Sequence, residues 1–220
     1  MKKIYLLLVA TLTLGIVGGG CGKSDTPESA MQDIQTAIAN RDRTLIESRV
    51  DVDKFLNSMY SDITTQIAAN INKLHENYPD DPYFWNKPDF ILKYNEAHRA
   101  FYMSFVEASV DAYFKPKDKV DSFVDVFAMQ CANEFKNLCA AMNTKVNESQ
   151  IDGNHAVILF EITGDSSPYG QFIDNMTFKF GFDKDKDDRW ILTKIENMDE
   201  LIYPLVDRAE LVWPEYILSK

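Results

Sequence analysis

The spacing of large apolar residues changes from three or four to two at about Lys145, which divides the chain into a helical part and a strand part. In the first part Phe55, Met59, Ile63, Ile67, Ile71 and Leu74 fall on one side of a helix, and Asn57, Asp62, Gln66, Asn70 and Lys73 fall on the other. A helix with that division buries one face and leaves the other to water.

Other helices surround this one. Thr26-Pro27-Glu28 combines a capping oxygen, a proline in the first turn and an acid near the positive helix end, so a helix should start there. It presents Met31, Ile34 and Ile38 and ends near Asn40, and Leu45, Ile46 and Val50 mark a short second element. The three prolines between Tyr78 and Pro88 require a loop. Phe90, Tyr94, Ala97, Phe101, Phe105, Ala108 and Ala112 then predict a long helix that stops at Lys115-Pro116-Lys117. Asp118 with Asp121 predicts the next start, and Val120, Phe123, Val124, Phe127, Cys131, Phe135, Leu138 and Met142 its apolar face. Cys131 and Cys139 lie about 12 Å apart along such a helix, beyond the roughly 7 Å that a disulfide spans. They read as two separate buried thiols.

Past Lys145, Asp152-Gly153-Asn154 is a turn signal before a strand from Ala156 to Ile162. Because this strand is apolar on both sides, it should be covered on both. The helices carrying Phe101 and Phe127 are expected on one face, and the C-terminal segment, with Leu201, Leu205, Leu211 and Trp213, on the other. Met176, Phe178, Phe180 and Phe182 predict a half-buried strand, and Arg189 to Ile195 a further one after an acidic turn. Asn197 and Glu200 can cap a last helix that Pro204 and Pro214 limit. The expected fold is α+β: N-terminal helices, some long, an antiparallel sheet of three to four strands and a C-terminal helical segment. Residues 27–220 form a single domain in this reading.

Lys2, Lys3, the uncharged run Ile4 to Val17, Gly18-Gly19-Gly20 and Cys21 before Gly22-Lys23-Ser24-Asp25 resemble a bacterial lipoprotein signal. The resemblance implies that residues 1–20 are removed, that Cys21 carries the acyl chains and that residues 21–26 are a lipidated tether. It also implies a cell-envelope location, with the lipid bilayer as partner and the domain outside the cytoplasm. Ser29 to Asp53, with Arg41-Asp42 and Val50-Asp51-Val52-Asp53, and the ending Arg189 to Ile195 resemble bacterial envelope domains of unknown function in the nuclear transport factor 2-like, or cone-fold, group. The helices between Phe55 and Met142 exceed the compact cone pattern.

Removing residues 1–20 takes away two lysines and no acid, moving the net charge from −11 to about −13. Nucleic-acid binding needs clustered cations to displace counterions, so nucleic-acid partners are excluded from the reading. No cofactor or metal is expected. Asp183-Lys184-Asp185-Lys186-Asp187-Asp188 resembles a calcium loop in composition, but Asp188 and Lys194 stand where glycine and a bidentate glutamate are needed. It reads as a hairpin turn. His75, His98 and His155 lack zinc-ligand spacing, and no nucleophile elbow or phosphate-binding glycine loop is present. Asp51 and Asp53 fit helix capping better than acid–base chemistry.

Tyr78, Tyr83, Phe84 and Trp85 concentrate aromatic residues in one proline-rich loop, which makes them a candidate partner-binding loop. The alternative is a plug over the ends of the long helices. An export signal joined to a domain without a catalytic motif points to a non-enzymatic module that binds a protein or small molecule. The rivals are a cone-fold-like enzyme acting on a small apolar ligand and a purely structural envelope component.

Overall fold

A computed structural model describes residues 25–115, 122–173, 175–208 and 210. The first helix, α1 (Pro27–Asn40), starts where the capping signal lies. Thr26 Oγ1 accepts the Ser29 N–H at 3.1 Å and Ser29 Oγ accepts the Thr26 N–H at 2.9 Å, so two otherwise orphaned amides are satisfied. Asp42 Oδ1 caps α2 (Arg43–Arg49) by accepting the Leu45 N–H. Val50 then leaves in extended form and pairs in parallel with Leu192, and Asp51 donates its N–H to the Leu192 carbonyl at 3.1 Å. The side chain of Asp51 caps α3 (Val52–Asn77) through the Lys54 N–H, so capping accounts for this aspartate. All six residues of the predicted α3 stripe are buried.

The sheet is an antiparallel meander of β1 (Met142–Asp152), β2 (His155–Gly164), β3 (Met176–Lys184) and β4 (Trp190–Ile195), in that order. Gly153 closes the first hairpin with φ +59°, a conformation that a side chain resists. The short α6 (Pro168–Ile173), which the sequence reading did not foresee, links β2 to β3. In register, Ala156, Ile158, Phe160 and Ile162 lie opposite Phe182, Phe180, Phe178 and Met176, and all eight are buried. Each buried phenylalanine contributes about 1.5–3 kcal/mol. The α1 and α3 helices pack against the strands.

The helices carrying Phe101 and Phe127, α4 (Pro88–Phe114) and α5 (Phe123–Ala140), do not cover the sheet as expected. α4 packs on α3 and α5 packs on α4, forming a further helical layer, because α1 and α3 already line the strands. The expected cover on both faces of β2 is also corrected. Val157 and Leu159 are only half-buried, opposite Gly181 and Lys179 in register and next to Glu161.

The last helix, α7 (Met198–Asp207), packs on α3 and β3 with Leu201 and Leu205 buried; Leu211, Trp213 and Pro214 lie outside the described residues. Pro204 sits inside α7 without ending it. Asn197 precedes the helix but bonds to none of its amides. Its Oδ1 accepts the Lys179 N–H at 2.9 Å, and its Nδ2 donates to the Thr177 carbonyl and to Glu200, so it pins the helix to β3.

Two further expectations change. Asp118, Val120 and Asp121 lie outside the described residues; α5 starts on Ser122, whose Oγ accepts the Asp125 N–H, and Met142 opens β1 instead of closing the helix. Both interior cysteines are free, but only Cys131 is fully buried while Cys139 is half-buried. Among the described residues no helix is long and apolar enough to cross a membrane.

Candidate functional site

Six of the eight exposed large apolar residues among those described belong to α4 and α5. The cause is a helix with two apolar stripes. Ile91, Met103, Val106 and Tyr113 of α4, with Asn95 and Ser109 between them, are buried. The stripe read from the sequence, beginning Phe90, Tyr94, Ala97 and Phe101, is a different one.

Only the second half of that stripe finds a partner. Phe105 meets Phe127 with ring centroids 4.6 Å apart, Ser109 hydrogen-bonds Cys131, and Tyr113 meets Phe135 at 4.7 Å. These contacts advance in the same direction along both helices, so α4 and α5 run parallel. One turn earlier, the same register puts Phe101 level with Phe123, and there the packing stops. Phe101 is 67% exposed and Phe123 81%, and Phe90, Leu92 and Val124 are exposed as well. The apolar faces of both helices therefore continue past the point where they cover each other.

This bare half-stripe rests on a fixed base. The Tyr60 hydroxyl donates to the Asn95 carbonyl at 2.8 Å, and Asn95 Nδ2 donates to the Tyr83 hydroxyl at 3.0 Å. Burial pushes the Tyr83 phenol up to about 12, despite the hydrogen bond from Asn95, so it stays neutral at physiological pH. Arg99 lies over the Tyr60 ring and donates to Asn57 at 2.8 Å, fastening α4 to α3. On the outside, Phe90 stacks on Tyr94 at 5.7 Å and Tyr94 on His98 at 4.1 Å.

The candidate loop behaves mainly as a plug. Tyr78 and Phe84 are buried, Tyr83 is half-buried and only Trp85 stands out, at 64% exposure. Residues Pro82–Trp85 form a 3-10 turn, and the Trp85 indole N–H donates to the Pro79 carbonyl. The loop thus adds one aromatic residue to the same side of the molecule as the start of α4. Cys21 lies outside the described residues.

A charged cluster spans β2, β3 and the residues after β4. His155 Nδ1 lies 2.8 Å from Asp183, and its Nε2 lies 3.1 Å from Glu196. Asp183 also accepts hydrogen bonds from Lys54 of α3 at 2.9 Å and from the Thr193 hydroxyl at 2.8 Å. Glu196 approaches closely because Gly181 faces it; a Cβ there would come within 2.5 Å of Glu196 Oε1. Burial alone would raise the Asp183 carboxyl, but its bonds to His155, Lys54 and Thr193 outweigh that and hold it at about 2. Asp62 shows the opposite balance, with burial raising its carboxyl against a bond from Ser58. Lys194 pairs with Glu196 at 2.9 Å. Acids and bases here neutralise one another and join α3 to the sheet edge. Sequence reading missed the cluster because its members are up to 142 positions apart, as are Lys54 and Glu196.

Two clefts of about 540 and 530 Å³ flank Arg43, which bridges Glu47 and Asp111. Its guanidinium is thus already engaged by two acids. The aspartate loop after β3 is a hairpin turn, as expected. Asp185 Oδ1 accepts the N–H groups of Asp187 and Arg189, and its Oδ2 holds the Arg189 guanidinium. Among the described residues no group of three or more His, Cys, Asp or Glu side chains is arranged to hold a metal ion. His75 and His98 are exposed.

No protein-family model matches this chain, and neither a curated protein nor a solved structure matches it.

Proposed function

We propose that this protein is a lipid-anchored interaction module of a bacterial envelope, and that its docking surface is the bare half-stripe formed by Phe90, Tyr94, Phe101 and Phe123. The carrying observation is that the apolar register of α4 and α5 runs on beyond their mutual contact, leaving large aromatic residues in water on a rigid base. Exposed patches of this kind, rimmed by polar residues, mark interaction surfaces, and aromatic anchors carry much of the energy of such contacts. The leader ending at Cys21 supports the anchored location. The inner face of the sheet is filled by Phe160, Phe178, Phe180 and Phe182, which favours recognition on the outside over a ligand held between helices and sheet.

The partner in this reading is a protein with an apolar centre and a basic rim, because the domain carries a net charge of about −13 once residues 1–20 are removed. A photoreactive phenylalanine analogue in place of Phe101, in cells, tests it. The expected product is a protein adduct of one defined size that is weakened by Phe123→Asp and by added salt, and is absent when the analogue replaces Asn57. Equal labelling from both positions, or labelling of lipid alone, would refute the docking surface.

A further inference from the structure

The bare half-stripe has a candidate occupant within the same chain, and this inference rests on reading the stripe as the docking surface. α7 ends at Asp207, which accepts a hydrogen bond from the Tyr78 hydroxyl. Three residues on, Glu210 lines a cleft with Asn77, Tyr78, Pro79, Asp81 and Pro82. Residues 211–220 therefore depart beside the loop that leads directly into α4, and the first exposed aromatic residues along that path are Trp85 and Phe90.

Length and composition fit as well. From Phe90 to Phe101 the helix rises about 17 Å, and ten residues reach about 33 Å when extended. The segment Leu211-Val212-Trp213-Pro214-Glu215-Tyr216-Ile217-Leu218-Ser219-Lys220 has six large apolar or aromatic side chains and only two charged ones. Such a segment starting next to a bare apolar stripe gains by covering it, since each buried surface leaves water.

We propose that residues 211–220 are the resident cover of the half-stripe and that an external partner binds by displacing them. A tethered segment acts at an effective concentration in the millimolar range. A contact with an intrinsic dissociation constant of about 0.1 mM would then keep the stripe covered about ten to one. The cover sets a threshold: only a partner that binds more strongly than the tail opens it.

The test uses the full-length chain with Cys21→Ser and the photoreactive analogue at position 101, irradiated after purification with no partner present. The expected product has monomer mass, with the crosslink mapped by mass spectrometry to residues 211–220. A crosslink joining two copies would make a second molecule the occupant, and a crosslink elsewhere or none would leave the tail without this role; either overturns the proposal. In cells, deleting residues 211–220, or combining Trp213→Asp with Ile217→Asp should deletion impair folding, should raise partner adduct formation about tenfold. No increase overturns the displacement. If the tail crosslink is absent while the partner adduct persists, the docking surface stands and only the cover fails. If the tail crosslink forms and no partner adduct appears in cells, the docking reading fails instead.

Discussion

Replacing Asp183 by asparagine keeps the size of the side chain and removes the negative charge that holds Lys54 and His155 against the sheet. Holding that carboxyl at about 2 instead of its ordinary 3.8 would, at face value, contribute about 2.4 kcal/mol at neutral pH. With 37% of the side chain exposed, water screens the pairing, and about 1 kcal/mol is the expected share. A carboxyl whose folded value lies below its unfolded value stabilises the fold above the unfolded value, and this contribution disappears as pH falls from about 4 to about 2. The expected loss at pH 7 is therefore about 2–4 °C in melting temperature for a domain of this size, shrinking towards zero at pH 2. Circular-dichroism melts of the two proteins from pH 2 to pH 7 measure this directly. An asparagine variant that melts with the wild type at every pH would show that the cluster does not clamp α3 to the sheet. A deficit of the same size at pH 2 and pH 7 would show that packing, not charge, is responsible.

Cys131 should resist thiol reagents, since burial pushes its thiol up to about 11 against a hydrogen bond from Ser109, and only the thiolate reacts. Half-buried Cys139 should therefore be modified first near neutral pH, as peptide mapping of briefly alkylated protein would show; equal labelling would contradict the packing of α5. Millimolar calcium should raise the melting temperature no more than magnesium does, because Asp185 already serves its own turn. A calcium-specific rise of several degrees, abolished by Asp185→Asn, would contradict this.

The parts of the fold legible in the sequence are those where one periodic signal is unopposed. The α3 stripe has a single phase and every member is buried, and the alternation of Met176, Phe178, Phe180 and Phe182 marks β3 correctly. On α4 two stripes compete, and the buried one is broken by Asn95 and Ser109, so the unbroken stripe of Phe90, Tyr94, Ala97 and Phe101 was the stronger signal and faces outward. β1 has the polar run Asn143, Thr144, Lys145, Asn147 and Glu148, as suits an edge strand with one side in water. The six-residue α6 is too short for periodicity to show. Of the candidate site, Trp85 was legible as an exposed aromatic residue, but the register that leaves Phe101 and Phe123 bare depends on where two helices stop touching, which no local pattern records.

The anchor is the most direct point at which the proposed function can be tested. Two acyl chains hold a protein at a bilayer where one does not, since each buried methylene contributes about 0.8 kcal/mol. Cells grown with an alkyne-bearing palmitate and fractionated after carbonate washing, for the wild type and for Cys21→Ser, provide the measurement. The expected result is a labelled wild-type protein in the membrane fraction whose mature chain begins at Cys21, and an unlabelled variant released into the soluble fraction. A variant that stays with the membrane through the wash, or a wild-type chain that carries no label, would contradict the lipid anchor.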